Sequence, residues 1–191
     1  MIITLSGVTG VGKSYLKKEI EEKLGIKAQT IVTTRAKREG EQNGVDKNFV
    51  TEEEFEDLKR KKDIIVTFEF LGNKYGYPRK EMEAKKNSVV ELHYSIIYQL
   101  KKEVKNTFSI YMIPENIEVA KQKLKERNLP KEVERLRLEE IEEHINKFQN
   151  DEDLRNQFDY IFYNDYTEKS IQKIIELLKN ICINHNNEIK I

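Results

Sequence analysis

The stretch GVTGVGKS at residues 7–14 constrains this chain more than any other feature of its sequence. It matches the phosphate-binding pattern G-x-x-x-x-G-K-[ST], in which glycines allow a tight turn and backbone N–H groups converge on an anion at a helix N-terminus. An apolar run at 2–6 precedes the loop, and a charged amphipathic stretch follows it. This strand–loop–helix context predicts a nucleotide phosphate site at the end of a buried strand.

The loop pattern also assigns individual roles. Lys13 is expected to reach the β- and γ-phosphates, and the Ser14 hydroxyl is expected to coordinate Mg²⁺. The glycines allow the backbone conformations that the loop requires, and the positive end of the helix dipole attracts the bound phosphate. The full nucleotide-binding set predicted here is Gly7, Gly10, Val11, Gly12, Lys13, Ser14 and Tyr15.

Charge and cysteine content exclude several classes of protein. The 191 residues carry a formal net charge of zero, which argues against a broad nucleic-acid-binding face. The longest apolar runs are too short to span a membrane, and no signal peptide is expected at the N-terminus. One cysteine, Cys182, excludes an internal disulfide. A reducing, cytoplasmic location is therefore expected.

Strand and helix patterns alternate along the chain, which predicts an α/β fold with a parallel sheet flanked by helices. The region 35–82 interrupts this alternation and is predicted to be an insertion, and the polar stretch near 127–135 a lid. The predicted strands cover 2–6, 30–34, 64–70, 88–92, 108–113 and 159–164, and the predicted helices 14–24, 51–61, 95–104, 115–127, 132–148 and 167–183.

Three further segments, together with the loop, resemble the guanylate kinase family. They are TTRAKREGEQNGVDKNFVTEEEF at 33–55, GNKYG at 72–76 and FDYIFYND at 158–165, so the similarity extends over nearly the whole chain. The resemblance implies a P-loop NTPase core at 1–34 and 83–191, a lid at about 124–140 and an inserted NMP-binding subdomain at 35–82. It also implies transfer of the γ-phosphoryl group of ATP to GMP or dGMP.

Arginines in the first of these segments predict a second anion site. Arg35 and Arg38 follow a predicted strand and offer paired N–H donors to an acceptor phosphate. The resemblance adds the hydroxyl of Tyr75 to this site, and it places Lys123, Arg127 and Arg135 in the lid over ATP. The expected catalytic set is therefore Lys13, Arg35, Arg38, Arg127 and Arg135.

The residue expected to recognise guanine departs from the family pattern. The family uses a carboxylate nine residues before the tyrosine that corresponds to Tyr75, and that position is Val66 here. Glu69 is nearby, but alternation along a strand places it on the face opposite to positions 66, 68 and 70 unless a bulge intervenes. A changed mode of base recognition is therefore expected.

Other acceptor positions differ as well. Tyr77 replaces a hydroxyl residue that contacts the guanine O6, and His93 replaces one of two acidic residues, whereas Glu91 keeps the other and can support Mg²⁺ through water. Lys47 and Ile31 stand where the family has a tyrosine and a serine, and Lys47 can still bind phosphate as a point charge. The predicted substrate-binding set is Arg35, Arg38, Lys47, Val66, Tyr75, Tyr77 and His93, and the predicted metal set is Ser14 and Glu91.

These departures leave two alternatives to a GMP kinase. The first is a kinase of the same fold with another acceptor, either a different nucleoside monophosphate or a sugar phosphate such as ribose 1,5-bisphosphate. The second is a non-catalytic guanylate-kinase-like binding module, against which the intact Lys13 and Ser14 argue. A regulatory GTPase lacks support, because NKYG at 73–76 has no aspartate in the N-K-x-D position. The expected partners are small-molecule nucleotides, and the expected state is a monomer or a homodimer.

Overall fold

The computed structural model describes residues 1–83 and 86–188, and strands alternate with helices through both ranges. The strands are β1 (Ile2–Gly7), β2 (Lys27–Ala28), β3 (Val32–Thr33), β4 (Asn48–Phe49), β5 (Ile64–Phe70), β6 (Asn73–Pro78), β7 (Ser88–Glu91), β8 (Thr107–Pro114) and β9 (Tyr160–Asn164). The helices are α1 (Lys13–Leu24), α2 (Glu52–Arg60), α3 (Arg79–Met82), α4 (Ile97–Glu103), α5 (Ile117–Lys125), α6 (Lys131–Asn150), α7 (Glu152–Arg155) and α8 (Glu168–Glu188), with a 3₁₀ turn at Tyr94–Ile96.

Five strands form a parallel sheet in the order β2-β7-β1-β8-β9. Apolar residues of β1 alternate between its two faces, so that each face packs against helices. Ile3 and Leu5 belong to a core cluster that includes residues of α1, α6 and α8, whereas Ile2 belongs to a cluster with residues of α4 and α6. The predicted α/β fold with helices on both faces of a parallel sheet is confirmed.

The strand register brings several carboxyl ends together at one edge of this sheet. β1 pairs with β7 and β8 in parallel, with Leu5 opposite Glu91 and Gly7 opposite Met112. In open parallel sheets, ligands bind in the crevice outside the carboxyl ends of the strands. The phosphate loop therefore begins where a ligand site is expected.

The second sheet has four strands in the order β4-β3-β6-β5 and a small core of its own around Val32, Phe55 and Ile64. The capping box at Thr51 and Glu54 that starts α2 is present. β3 lies within the strand predicted at 30–34 but belongs to this second sheet, not to the parallel one. The edge strand of the parallel sheet next to β7 is instead β2, which has only two residues. Two residues are too few to show a strand pattern in the sequence.

The longest helices are α6 and α8, with 20 and 21 residues. α6 is anchored on the parallel sheet by Phe148, whose ring stacks on Tyr111 with 3.7 Å between centroids. None of the helices in the two described ranges is both long and apolar enough to cross a membrane. Packing on the sheet thus fixes the carboxyl-terminal half of α6, and its amino-terminal half leads to the predicted lid.

Candidate active site

A cavity of about 810 Å³ opens at the carboxyl ends of the parallel strands. The phosphate loop, the start of α1 and the ends of β7 and β9 form one part of its wall, and the second sheet and the segment around α5 and α6 form the rest. Residues far apart in sequence, such as Gly7, Tyr75 and Asn164, therefore border the same space. This volume lies toward the upper end of the usual range for ligand pockets.

The phosphate loop touches neighbouring backbone at two glycines. A Cβ atom on Gly7 would lie 2.3 Å from the carbonyl oxygen of Met112 in β8, and one on Gly10 would lie 2.3 Å from that of Ala120 in α5. Both glycines also have positive φ angles, of 136° and 82°. Only glycine meets both conditions, so these two residues determine the course of the loop.

The end of β9 holds the loop from another side. The Asn164 side-chain amide donates to the carbonyl oxygen of Val11 at 2.9 Å, and the Tyr166 hydroxyl donates to that of Gly10 at 3.3 Å. The Val11 side chain is buried away from the cavity, whereas Tyr15 lines the cavity and is half-exposed. The predicted set omitted Asn164 and Tyr166, although their place at the end of the last strand and two residues beyond it was the available signal.

Lys13 lies within the curve of the loop. Its ammonium donates to the carbonyl oxygens of Gly7 and Val8, each at 2.8 Å. Burial lowers the pKa of Lys13 to about 8, although Glu91 and Glu140 favour the charged form. The loop thus holds a cation at the place where the sequence predicts contact with phosphate.

Glu91 ends β7 beside this cation. Burial opposes its ionisation, but Lys17, Lys47 and Lys13 together with a hydrogen bond from Ser14 lower the pKa of Glu91 to about 2. The Lys17 ammonium lies 3.4 Å from the carboxylate. An ionised carboxylate and a hydroxyl are oxygen donors of the type that Mg²⁺ prefers. No cluster of three or more His, Cys, Asp or Glu side chains that could hold a metal occurs in the described ranges.

The predicted acceptor-phosphate residues Arg35, Arg38, Lys47 and Tyr75 all line the cavity. Glu41 orients this loop, because its carboxylate accepts from the Arg35 guanidinium at 2.8 Å and 3.0 Å and from the backbone N–H of Arg38 at 2.8 Å. Burial lowers the pKa of Lys47, whereas the Glu91 carboxylate favours its charged form. Two arginines and a lysine therefore form a second cationic site that faces the phosphate loop.

Two predicted substrate residues, Val66 and Tyr77, lie outside the cavity wall. They are opposite each other on β5 and β6 and are buried in an apolar cluster. The Tyr77 hydroxyl donates to the carbonyl oxygen of Glu91 at 3.1 Å. Their assignment to substrate contact is corrected here: Val66 shares a strand face with the cavity residues Phe68 and Phe70, but it lies deeper, against Tyr77.

Aromatic rings line the part of the cavity next to the second cationic site. Phe68 stacks on Tyr75 and on His93, with 4.8 Å and 4.7 Å between ring centroids, and Phe70 lies 5.9 Å from His93. The predicted alternation along β5 is borne out, because Phe68 and Phe70 face the cavity and Glu69 is exposed. The bulge that would be needed to turn Glu69 inward is absent from its part of β5, since the register shift lies between Ile64 and Val66.

Of the predicted lid residues, Lys123 and Arg127 line the cavity and Arg135 does not. The Arg135 guanidinium bonds to Glu132 and Glu139 on the exposed side of α6. Arg137 lines the cavity instead. Two residues correspond to about 200° around a helix, so the two arginines point in nearly opposite directions. The sequence does not distinguish the two arginines, because each has glutamates three or four residues away on either side.

Arg137 connects α6 to the second sheet. Its guanidinium donates to Glu140 at 2.9 Å and lies 4.3 Å from the centre of the Phe70 ring. Its side chain is 15% exposed, compared with 54% for Arg135. A partly desolvated guanidinium at the cavity wall is well suited to stabilise anionic charge.

Comparison with known protein families gives a match over most of the chain. The family model described as "Guanylate kinase" matches residues 1–181. A guanylate kinase of Rickettsia felis is 30% identical over 93% of this chain and 92% of its own length. One from Mesoplasma florum is 31% identical over 99% of this chain, which spans only 64% of that longer protein.

Solved structures agree with this result. The crystal structure of guanylate kinase from Anaplasma phagocytophilum superposes with a TM-score of 0.72 at 25% identity, covering 94% of this chain and 85% of that one. A shikimate kinase from Bacteroides thetaiotaomicron has a TM-score of 0.51 at 15% identity, covering 95% of this chain and 97% of that one. The second likeness concerns the fold alone.

Proposed function

The chain belongs to the guanylate kinase family, and we propose that it transfers the γ-phosphoryl group of ATP to the phosphate of GMP or dGMP. The observation that carries this proposal is one cavity lined by two separate cationic sites. Lys13 marks the first, within the phosphate loop, and Arg35, Arg38 and Lys47 mark the second. Such an arrangement suits a reaction that joins two phosphorylated substrates.

In the donor half, the loop N–H groups and Lys13 bind the β- and γ-phosphates of ATP. We propose that the divalent cation is Mg²⁺, held by the Ser14 hydroxyl with Glu91 supporting its shell through water. When bound, Mg²⁺ neutralises charge on the β- and γ-phosphate oxygens. Glu91 remains ionised across the neutral range, because its pKa is about 2.

In the acceptor half, the Arg35 and Arg38 guanidinium groups, the Lys47 ammonium and the Tyr75 hydroxyl orient the acceptor phosphate. An oxygen of that phosphate forms the new bond to the γ-phosphorus, and the bond from the γ-phosphorus to the β–γ bridging oxygen breaks. The products are ADP and a nucleoside diphosphate. A phosphate oxygen is already ionised at neutral pH, so the reaction requires alignment and charge neutralisation more than a general base.

The lid supplies further positive charge. Lys123, Arg127 and Arg137 line the cavity on the side of α5 and α6. We assign Arg127 and Arg137, not Arg135, to the charge that develops on the transferring phosphoryl group. The second sheet accordingly acts as the NMP-binding subdomain, and the segment from Arg127 to Arg137 acts as the lid.

The test is ADP release from Mg·ATP with GMP, dGMP, AMP, CMP, UMP and ribose 1,5-bisphosphate as acceptors. We expect GMP and dGMP to be used and the pyrimidine nucleotides to be poor. Arg38→Ala should raise the KM for the acceptor about tenfold or more and leave that for ATP nearly unchanged, because it removes one anion contact. Lys37→Ala is the matched control, since Lys37 is exposed and does not line the cavity.

Turnover of none of the nucleotides, by a protein that still binds ATP, would overturn the proposed function. A preference for ribose 1,5-bisphosphate would assign the enzyme to a different acceptor. An Arg38→Ala effect confined to the KM for ATP would instead show that Arg38 acts in the donor half of the cavity.

A further inference from the structure

The Arg137 guanidinium is held at one end and along its face. Its Nη1 atom donates to Oε2 of Glu140 at 2.9 Å, and its carbon lies 4.3 Å from the centre of the Phe70 ring. The Nε and Nη2 atoms have no hydrogen-bond partner among the residues that the structure describes. Because Arg137 lines the cavity, these remaining donors are available to an anionic ligand there.

Glu140 holds the end of Arg137 that is already paired. Of these two residues, only Arg137 lines the cavity. The second carboxylate oxygen of Glu140, Oε1, lies 3.5 Å from Nδ1 of His144. Burial raises the pKa of Glu140, and the charges of Arg137 and Lys13 oppose this rise. Glu140 can therefore influence a bound nucleotide only through a neighbouring group.

The burial of this ion pair distinguishes it from its neighbours on α6. Arg137 and Glu140 have side chains that are 15% and 12% exposed. Glu132 and Glu139, which pair with Arg135, are 69% and 52% exposed. Burying an ion pair removes both groups from water, so it is weak evidence for a gain in stability. A fixed orientation of the Arg137 guanidinium explains the burial better.

The pair is also internal to one helix. Arg137 and Glu140 are three residues apart, so their side chains are neighbours on the same face of α6. The direction of the guanidinium relative to α6 is therefore set before any nucleotide binds. Donors that are already oriented toward developing charge need no reorganisation during the reaction.

We propose that Glu140 is a positioning residue for phosphoryl transfer. By holding Nη1 of Arg137, it directs the other guanidinium donors toward the charge that develops on the transferring phosphoryl group. Without Glu140, Arg137 would keep its charge but populate several side-chain rotamers, so alignment would be lost while both substrates still bind. This inference rests on the proposed nucleoside monophosphate kinase function and on the role assigned there to Arg137.

The first test removes the carboxylate. Glu140→Ala should lower kcat with GMP and Mg·ATP about tenfold and change either KM by less than about twofold, because the contacts that bind the substrates remain. Glu140→Gln should restore at least about threefold of this loss, since its amide oxygen can accept from Nη1. An unchanged kcat in Glu140→Ala would overturn the inference. An increase would also overturn it, because Glu140 would then restrain Arg137.

A double-mutant cycle tests whether Glu140 acts through Arg137. In the Arg137→Ala background, Glu140→Ala should change kcat by less than about twofold, because the group that it orients is missing. The same tenfold loss in both backgrounds would overturn the inference, since a packing defect or an effect on Lys13 would produce it. If Arg137→Ala fails to fold, Arg137→Gln replaces it, because its amide can still donate to Glu140. If Glu140→Ala fails to fold, Glu140→Gln completes the cycle.

Glu139→Ala is the matched control. Glu139 precedes Glu140 on α6, but it is exposed and pairs with Arg135. This variant should leave kcat and both KM values within about twofold of the wild type, with circular dichroism to verify folding. A loss equal to that in Glu140→Ala would assign the effect to the net charge of the helix and overturn the inference. Failure of the proposed function differs from these results, because the wild type would then phosphorylate no nucleoside monophosphate.

Discussion

Lys13 supplies the positive charge of the phosphate loop, but its buried surroundings lower the pKa of its ammonium group. Its ammonium donates to two loop carbonyls, and burial lowers its pKa from 10.5 to about 8. Bound phosphate would restore the charged form, because a nearby anion raises the pKa of an ammonium. The sequence motif predicted the identity and role of Lys13, but only the packing of the loop shows how weakly its proton is held.

The pKa of Lys13 predicts the pH dependence of ATP use. We expect kcat/KM for ATP to fall above pH 8, since the free enzyme then loses the Lys13 proton. The variant Lys13→Arg should abolish this alkaline decline even if its activity is low, because a guanidinium stays protonated. A decline that persists unchanged in Lys13→Arg would assign it to another group.

The lowered pKa of Lys13 also predicts that stability rises with pH, whereas kcat/KM for ATP falls. Between pH 8 and 10.5 the folded protein releases the Lys13 proton and the unfolded chain retains it. Since stability rises with pH wherever the unfolded state binds more protons, the contribution of Lys13 to the free energy of unfolding should increase across that window. Chemical denaturation of the wild type and of Lys13→Met at several pH values measures this difference.

At the scale of elements, α6 shows that a sequence motif does not determine which face of a helix points into the cavity. The polar stretch near 127–135 predicted a lid and the resemblance to the family implied its arginines, but the side of the helix that faces the cavity depends on how α6 packs. Phe148 anchors α6 on Tyr111, and this packing directs Arg137 toward the cavity and Arg135 away from it. Alternation along β5, by contrast, correctly predicted the orientations of Phe68, Glu69 and Phe70, because a strand allows only two faces.

The arginine pair on α6 gives a matched test. Arg137→Ala should lower kcat about a hundredfold or more, as expected when one preorganised donor to transition-state charge is removed. Arg135→Ala should change kcat by less than about twofold, because surface ion pairs of this kind contribute little. Steady-state kinetics of both variants, with circular dichroism to verify folding, measure the contrast. A larger loss for Arg135→Ala would reverse the assignment.

At the scale of the molecule, two sheets with separate cores share one cavity. The sequence predicted the insertion and its place in the chain, since the region 35–82 breaks the alternation of strands and helices. It did not show that β3 belongs to the second sheet or that β2 completes the first, because two-residue strands are defined by their partners and not by a pattern. The depth of Val66 and Tyr77 likewise follows from how β5 and β6 pack on the apolar cluster.

The shared cavity predicts separable stabilisation by the two substrates. At about a hundredfold excess over Kd, each nucleotide should add about 2.7 kcal/mol to the free energy of unfolding. For a chain of this size, that corresponds to a rise in Tm of about 5–10 °C. Lys13→Met should lose the rise with ATP and keep that with GMP, and Arg38→Ala should show the converse. Loss of both rises in either variant would mean that the two sites do not bind independently.

The backbone contact between Gly10 and Ala120 limits how such a protein can diverge. With no side chain between the phosphate loop and α5, an insertion or deletion before Ala120 would shift the helix against the loop. The connection from Lys125, where α5 ends, to Lys131, where α6 begins, lies beyond this contact in the chain. A change in the length of this connection would therefore alter the lid without shifting α5 against the phosphate loop.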